Sequence, residues 1–151
     1  MEQKVQVDEL LRAGNMVQIG PQGYSMYPLL VPGRDQVIVA PAQQEQYKRG
    51  DVVLYRRDGS ILVLHRIWKR KKDGYYMVGD NQKEIEGPIR RDQILGEMVC
   101  ILRKGKKISV GNAGYRVLSG VWLALRPARP VLSHFFAWIK RILRKFIAFF
   151  H

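Results

Sequence analysis

Two hydrophobic periods divide this chain. From Met16 to Lys104 the apolar positions come in short β-branched or aromatic runs: "MVQIG", "DQVIVAP", "GDVVLYRR", "SILVLHRIWKR", "GYYMVGD" and "QILGEMVCILRK". Between them stand "VPGRD", "RRDG", "KKDG", "EGP" and "RKGK", turn formers at the spacing of an antiparallel or barrel-like β domain. Outside that region the period is helical. Val7, Leu10 and Leu11 with Gly14 as a stop predict a short N-terminal helix over 5–13. After Gly111, "YRVLSGVWLAL" reads as a helix, "RPARP" breaks it, and "VLSHFFAWIKRILRKFIAFFH" reads as a second one. The expected architecture is mainly β: a domain at 1–110 with a short N-terminal helix, and a basic amphipathic helical tail at 111–151.

Charge separates the same two parts. The net charge is +13, yet residues 1–97 hold fifteen Lys and Arg against all thirteen acids. The other eleven cations, from Arg103 to Lys145, meet no acid after Glu97. In the last helix Lys140, Arg141, Arg144 and Lys145 fall on one side, with Phe135, Ile139, Ile142, Phe146, Phe149 and Phe150 largely on the other. Its apolar stretch 131–139 is far short of the roughly 20 residues that span a bilayer. Residues 131–151 are therefore expected to lie on an anionic membrane surface, making the protein peripheral. Packing on protein competes with that reading, and nucleic acid fits poorly because no recognition motif accompanies the cations. The N-terminus reads as neither signal peptide nor anchor. One cysteine, Cys100 in "EMVCIL", excludes an internal disulfide and a cysteine metal cluster, and is expected to be a buried thiol. No metal or cofactor is expected.

The chemistry available to the body is an alcohol, an imidazole and carboxylates. Ser25 lies in "GYSMYPLL", His65 in "ILVLHRI", and acids in "VGDNQKEIEGPI". These are the types needed for nucleophilic catalysis. The bland alternative is a turn serine, a strand histidine with one edge in solvent, and a turn aspartate at Asp80.

The order "GYSMYPLL", "DQVIVAP", "KRGDVVLYR", "LHRIW", "VGDN", "ILGEMV" resembles, over about residues 16–102, the signal peptidase family and its relatives among the self-cleaving repressor proteases. In the bacterial branch a lysine stands where this chain has His65, so the resemblance is to the Ser-His branch of endoplasmic reticulum and archaeal signal peptidases. It implies a serine endopeptidase that removes leader or signal segments, with Ser25 as nucleophile and His65 as general base, poised near neutral pH so that activity rises through about pH 6–7. The family's third member matches either Asp80 of "GDN" or Glu86, an aspartate in the histidine branch; both stay open, with Glu84 behind them. Gly23 replaces the bacterial oxyanion serine, leaving the Ser25 N–H for that role. Met26 and Pro28 are expected to hold the turn, Arg49, Gly50 and Asp51 to turn the chain into a strand, and Arg66 to face solvent. A peptide or preprotein substrate, small at the first and third positions before the cut, would add as a β-strand beside Gly20, Gln22 and Gly23 and beside Leu62 and Leu64. Alternatives are a non-catalytic module holding peptide or nucleic acid, and a self-cleaving protease.

Overall fold

The structure, a computed structural model, describes residues 2–57, 61–131, 134, 135, 138, 139, 141 and 142. Helix α1 (Glu2–Arg12) ends where Gly14 takes φ +89, with Gly14 N–H donating to the Leu11 carbonyl and Asn15 N–H to that of Leu10. Only glycine adopts that conformation without strain, so the expected stop is the real one.

Eight strands follow: β1 (Val17–Ile19), β2 (Asp35–Pro41), β3 (Val52–Arg57), β4 (Ile61–Lys71), β5 (Gly74–Val78), β6 (Glu86–Ile89), β7 (Ile94–Arg103) and β8 (Lys106–Ser109). They form a curled, mainly antiparallel half-barrel in the order β1-β2-β7-β3-β4-β5-β6, with β8 on β7. Helix α2 (Ala113–Ala124) comes after them, its first turn capped by the Asn112 side chain accepting from Tyr115 N–H. Among the described residues no helix is long and apolar enough to cross a membrane.

Two strands were not legible as such. β6 lies inside the acidic loop, and β8 in the lysine-rich turn after β7. β6 carries Gly87 and Pro88, residues that depress strand propensity but are tolerated on a sheet edge, which β6 occupies.

The sheet is packed on both faces. Val52 and Leu54 of β3 join Val37, Val39, Met98 and Ile101 on one, while Val53 and Tyr55 join Ile67, Met77 and Ile89 on the other. This is why "VVLY" is an unbroken apolar run rather than an alternating one. Cys100 is only half-buried, against expectation; it lies opposite Ser109 where β7 pairs with the short edge strand β8.

Candidate functional site

Residues 20–34 link β1 to β2 and carry Ser25 at the surface of a turn. Gly23 enters it with φ +87 and nothing near the position of an added Cβ, so backbone conformation alone favours glycine there. Met26, Leu29 and Leu30 are buried, Tyr24 and Tyr27 are exposed with their rings edge-on at 6.4 Å, and Ser25 is half-buried. Buried Asp35 anchors the far end, accepting from Val31 N–H (2.8 Å), Arg34 and Arg103, while Arg103 also donates to the Leu29 carbonyl at 2.7 Å. Burial pushes the Asp35 carboxyl up, but the hydrogen bonds from Arg103, Arg34 and Val31 outweigh it and bring its pKa down to about 2. The near end is fixed by Asn81 N–H donating to the Ser25 carbonyl at 2.8 Å. A side chain at Gly79 would strike that same carbonyl, so glycine lets the two loops meet.

His65 lies on β4 with its ring on the β3 face that holds Val53 and Tyr55, and it is buried. Tyr55 is its diagonal neighbour across the ladder, its hydroxyl 3.2 Å from His65 Nδ1. The same hydroxyl donates to Glu86 Oε2 at 2.7 Å, and Arg57, two residues along β3, grips the Glu86 carboxylate with Nε and Nη2, both at 2.5 Å. Because the Tyr55 proton goes to Glu86, Nδ1 of His65 must carry the hydrogen of the other bond, leaving Nε2 as a bare lone pair. Burial chiefly, and Arg57 as well, lower the His65 pKa to about 4 against the pull of Glu86 and Asp80. The imidazole is therefore neutral at neutral pH, and the acid limb expected near pH 6–7 moves down to about 4. Burial opposes charge on Glu86 too, but Arg57 and Tyr55 hold its carboxyl below the ordinary range. Tyr55 stays protonated, its pKa raised by burial and then by Glu86.

Asp80 is occupied elsewhere. It forms a two-pronged pair with Arg66 (2.8 and 2.7 Å), both side chains buried, and Arg66 also donates to the Gly50 carbonyl at 2.7 Å. Arg66 is thus buried rather than solvent-facing: it belongs to the β4 face opposite His65 and finds its counter-charge under the turn. Burial acts to lower the Arg66 pKa, yet Asp80 and then Tyr115 raise it. Gly50, at φ +98, lies in the expected turn into β3, with Lys48 N–H donating to Asp51.

Of the site residues expected from the sequence, Glu86 reaches His65 through Tyr55, at 4.0 Å from Nδ1. Asp80 sits behind its backbone in the closed pair, and Glu84 is exposed. Ser25 is tied by its carbonyl to the 79–81 loop, one step beyond the Arg66↔Val78 rung and so level with His65. No hydrogen bond among the described residues joins Ser25 Oγ to His65 or engages the Ser25 N–H. Met26 packs on the β4 face that bears Leu62 and Leu64, His65 belongs to the other face, and the strand's edge divides them. That edge is open over 61–65, since β5 pairs only with Arg66–Lys71; β1, which leads to Gly20, Gln22 and Gly23, is likewise an edge strand. A cavity of about 480 Å³ is lined by Gln18, Gly20, Arg34, Gln36 and Lys107 among others, and neither Ser25 nor His65 lines it. No set of three metal-ligating side chains gathers among the described residues.

Tyr55 and Arg57 are the functional candidates that sequence reasoning missed. The available signal was the i, i+2 spacing of Tyr55 and Arg57 in "VVLYRR", which puts both on one strand face, but nothing in the sequence tells which face meets His65.

No protein-family model matches the chain. It is similar to one of the subunits of linear gramicidin synthase from Brevibacillus parabrevis, 30% identical over 106 residues, a match covering 70% of this chain and 2% of that protein. The chain thus spans about 2% of the length of the curated relative it matches.

Proposed function

We propose that this protein is a serine endopeptidase of the signal peptidase type, with Ser25 as nucleophile and His65 as general base. The observation that carries this reading is the chain Arg57, Glu86, Tyr55, His65, which supports a neutral imidazole with Nε2 free to take a proton. Ser25 Oγ attacks the scissile carbonyl as its proton passes to Nε2. The imidazolium that forms is stabilised through Tyr55 by the Glu86 carboxylate, and its proton then goes to the leaving amine. The Ser25 N–H is the donor for the oxyanion. Catalytic hydrogen bonds often tighten only in the Michaelis complex, so a proton path from Ser25 Oγ to Nε2 is one that substrate binding would close. The open edges of β1 and of β4 at 61–65 are hosts for an extended leader peptide, with Leu62 and Leu64 beneath it.

The protein works at an anionic membrane surface, to which residues 131–151 attach it; Lys140, Arg144, Lys145, Phe146, Phe149, Phe150 and His151 lie outside the described residues. The lack of a hydrogen bond between Ser25 and His65 among the described residues favours one other reading, a non-catalytic peptide-binding module on the same fold. Cleavage of synthetic leader peptides by the purified chain separates the two: cleavage lost in Ser25→Ala and in His65→Ala is the peptidase, whereas peptide binding without turnover is the module.

A further inference from the structure

We infer that the outward face of α2, continued by Val131, Phe135 and Trp138, is a docking surface for an anionic lipid bilayer, and that it holds the serine turn next to that surface. The inference rests on the membrane reading above and deepens it by adding a face of α2, Val117, Leu118, Val121 and Leu125, that lies before residue 131.

Helix α2 is apolar around most of its circumference, with Arg116 its one charged residue. Its inner side is covered: Ser119 and Leu123 are buried, and Trp122 Nε1 donates to the Asp80 carbonyl at 2.9 Å. Its outer side is exposed. Val117, Leu118, Val121 and Leu125 are 66%, 59%, 51% and 38% exposed, and at 100° per residue they fall within an arc of about 100°. Beyond the short turn at Arg126–Ala128 the pattern continues with Val131 (71%), Phe135 (51%) and Trp138 (52%), the two rings stacked at 6.1 Å. Scattered exposed apolar residues are ordinary; four on one face of α2, followed by three more at helical spacing after the turn, mark an interaction surface.

Charge identifies the occupant. After Glu97 the chain carries eleven cations and no acid, so a second copy docked on the same face would bring like charge against like charge. An anionic bilayer supplies apolar depth for the valines, leucines and aromatic pair, and headgroups for Arg116 on the same helix and Arg141 after Trp138.

The face is also wired to the site. Arg129 Nη2 donates to the Trp122 carbonyl (2.5 Å) and its Nη1 to that of Asp80 (2.5 Å), Arg126 donates to the Lys83 carbonyl, and Arg126 and Arg49 each lie over the Trp68 ring. The 79–83 segment is therefore gripped by α2 on one side and by the Ser25 carbonyl on the other. A bilayer on the outer face of α2 lies about one helix diameter, roughly 10 Å, from that segment.

The test is co-sedimentation of the full chain with vesicles of phosphatidylcholine alone and with added phosphatidylglycerol, beside light scattering without lipid. The variant carries Val117→Ser, Leu118→Ser, Val121→Ser and Leu125→Ser together, with Leu118→Ser alone as the milder change should the quadruple variant not fold. Expected are binding only with the anionic lipid, a monomer in solution, and affinity weakened about tenfold or more by the four changes and about two- to threefold by the single one. Unchanged affinity in the variants, equal binding to neutral vesicles, no binding by the wild type, or a dimer that the variants dissolve would each overturn it. The assay needs no peptidase activity, so it stands or falls apart from the catalytic reading.

Discussion

Two neighbours on β4 meet two carboxylates, Asp80 in the turn after β5 and Glu86 at the start of β6, and end in opposite electrostatic states. Arg66 faces one side of the sheet and closes on Asp80, a pair with both partners at most 1% exposed and all strong donors and acceptors matched. His65 faces the other side and meets Glu86 only through Tyr55, in a chain whose carboxylate is about a quarter exposed and held by half-exposed Arg57. The alternation of a strand assigns the roles: the residue after the histidine takes the structural counter-ion, and the histidine keeps one nitrogen unspent. A buried pair of this kind costs most when halved, whereas an open relay should cost activity before stability.

That contrast can be broken from either side. The largest effect is expected at the chemistry itself: Ser25→Ala and His65→Ala should each lower kcat/KM for leader-peptide cleavage by about 10⁴–10⁶-fold, and the double variant should be no worse than either, as residues acting as a unit are non-additive. Next comes the closed pair. Asp80→Asn leaves Arg66 buried without its charge and should lower unfolding free energy by about 3–5 kcal/mol in urea titration. Glu86→Gln, by contrast, should change stability by less than about 1 kcal/mol and kcat by far more; if the two variants were equally destabilised, the distinction between the faces would fail.

A smaller effect isolates the relay. Tyr55→Phe removes the group between Glu86 and His65, so kcat should fall about 10–100-fold at nearly unchanged KM, with stability down by about 1–3 kcal/mol from the unpaired Nδ1–H. An equal loss in KM would make Tyr55 a substrate contact instead. The smallest effect is on acid stability. His65 binds its proton at about 4 when folded and at its ordinary 6.5 when unfolded, so between those values the unfolded chain holds more protons. Stability from this group is complete above pH 6.5 and falls as pH drops toward 4; thermal melts of His65→Phe should show a shallower decline over that window than the wild type.

The frame that carries this contrast was visible in the sequence, because strands and turns depend on local order. The seven-residue "DQVIVAP" and six-residue "VVLYRR" became strands since their β-branched runs end in turn residues, and Gly14 and Gly23 took the positive φ their positions require. What stayed hidden depends on the third dimension. Asp80 and Glu86 are both acids in one loop, and only the pairing of β6 with β5, Met77 opposite Glu86, decides which of them faces His65. Arg66 looked solvent-facing because arginine usually is; its burial follows from the Asp80 carboxylate beneath it. The lowered His65 pKa has the same origin, since the apolar neighbours that bury it come from β3, β4 and β5 together.

The decisive measurement is the pH dependence of the Ser25-dependent rate: kcat/KM of the wild type for a leader peptide with small side chains at the first and third positions before the cut, less that of Ser25→Ala, from about pH 3 to 9. A neutral buried base predicts activity that rises through about pH 4 and is flat from about pH 6 to 8. Activity that first appears near pH 9, or cleavage by Ser25→Ala as fast as by the wild type, would contradict it.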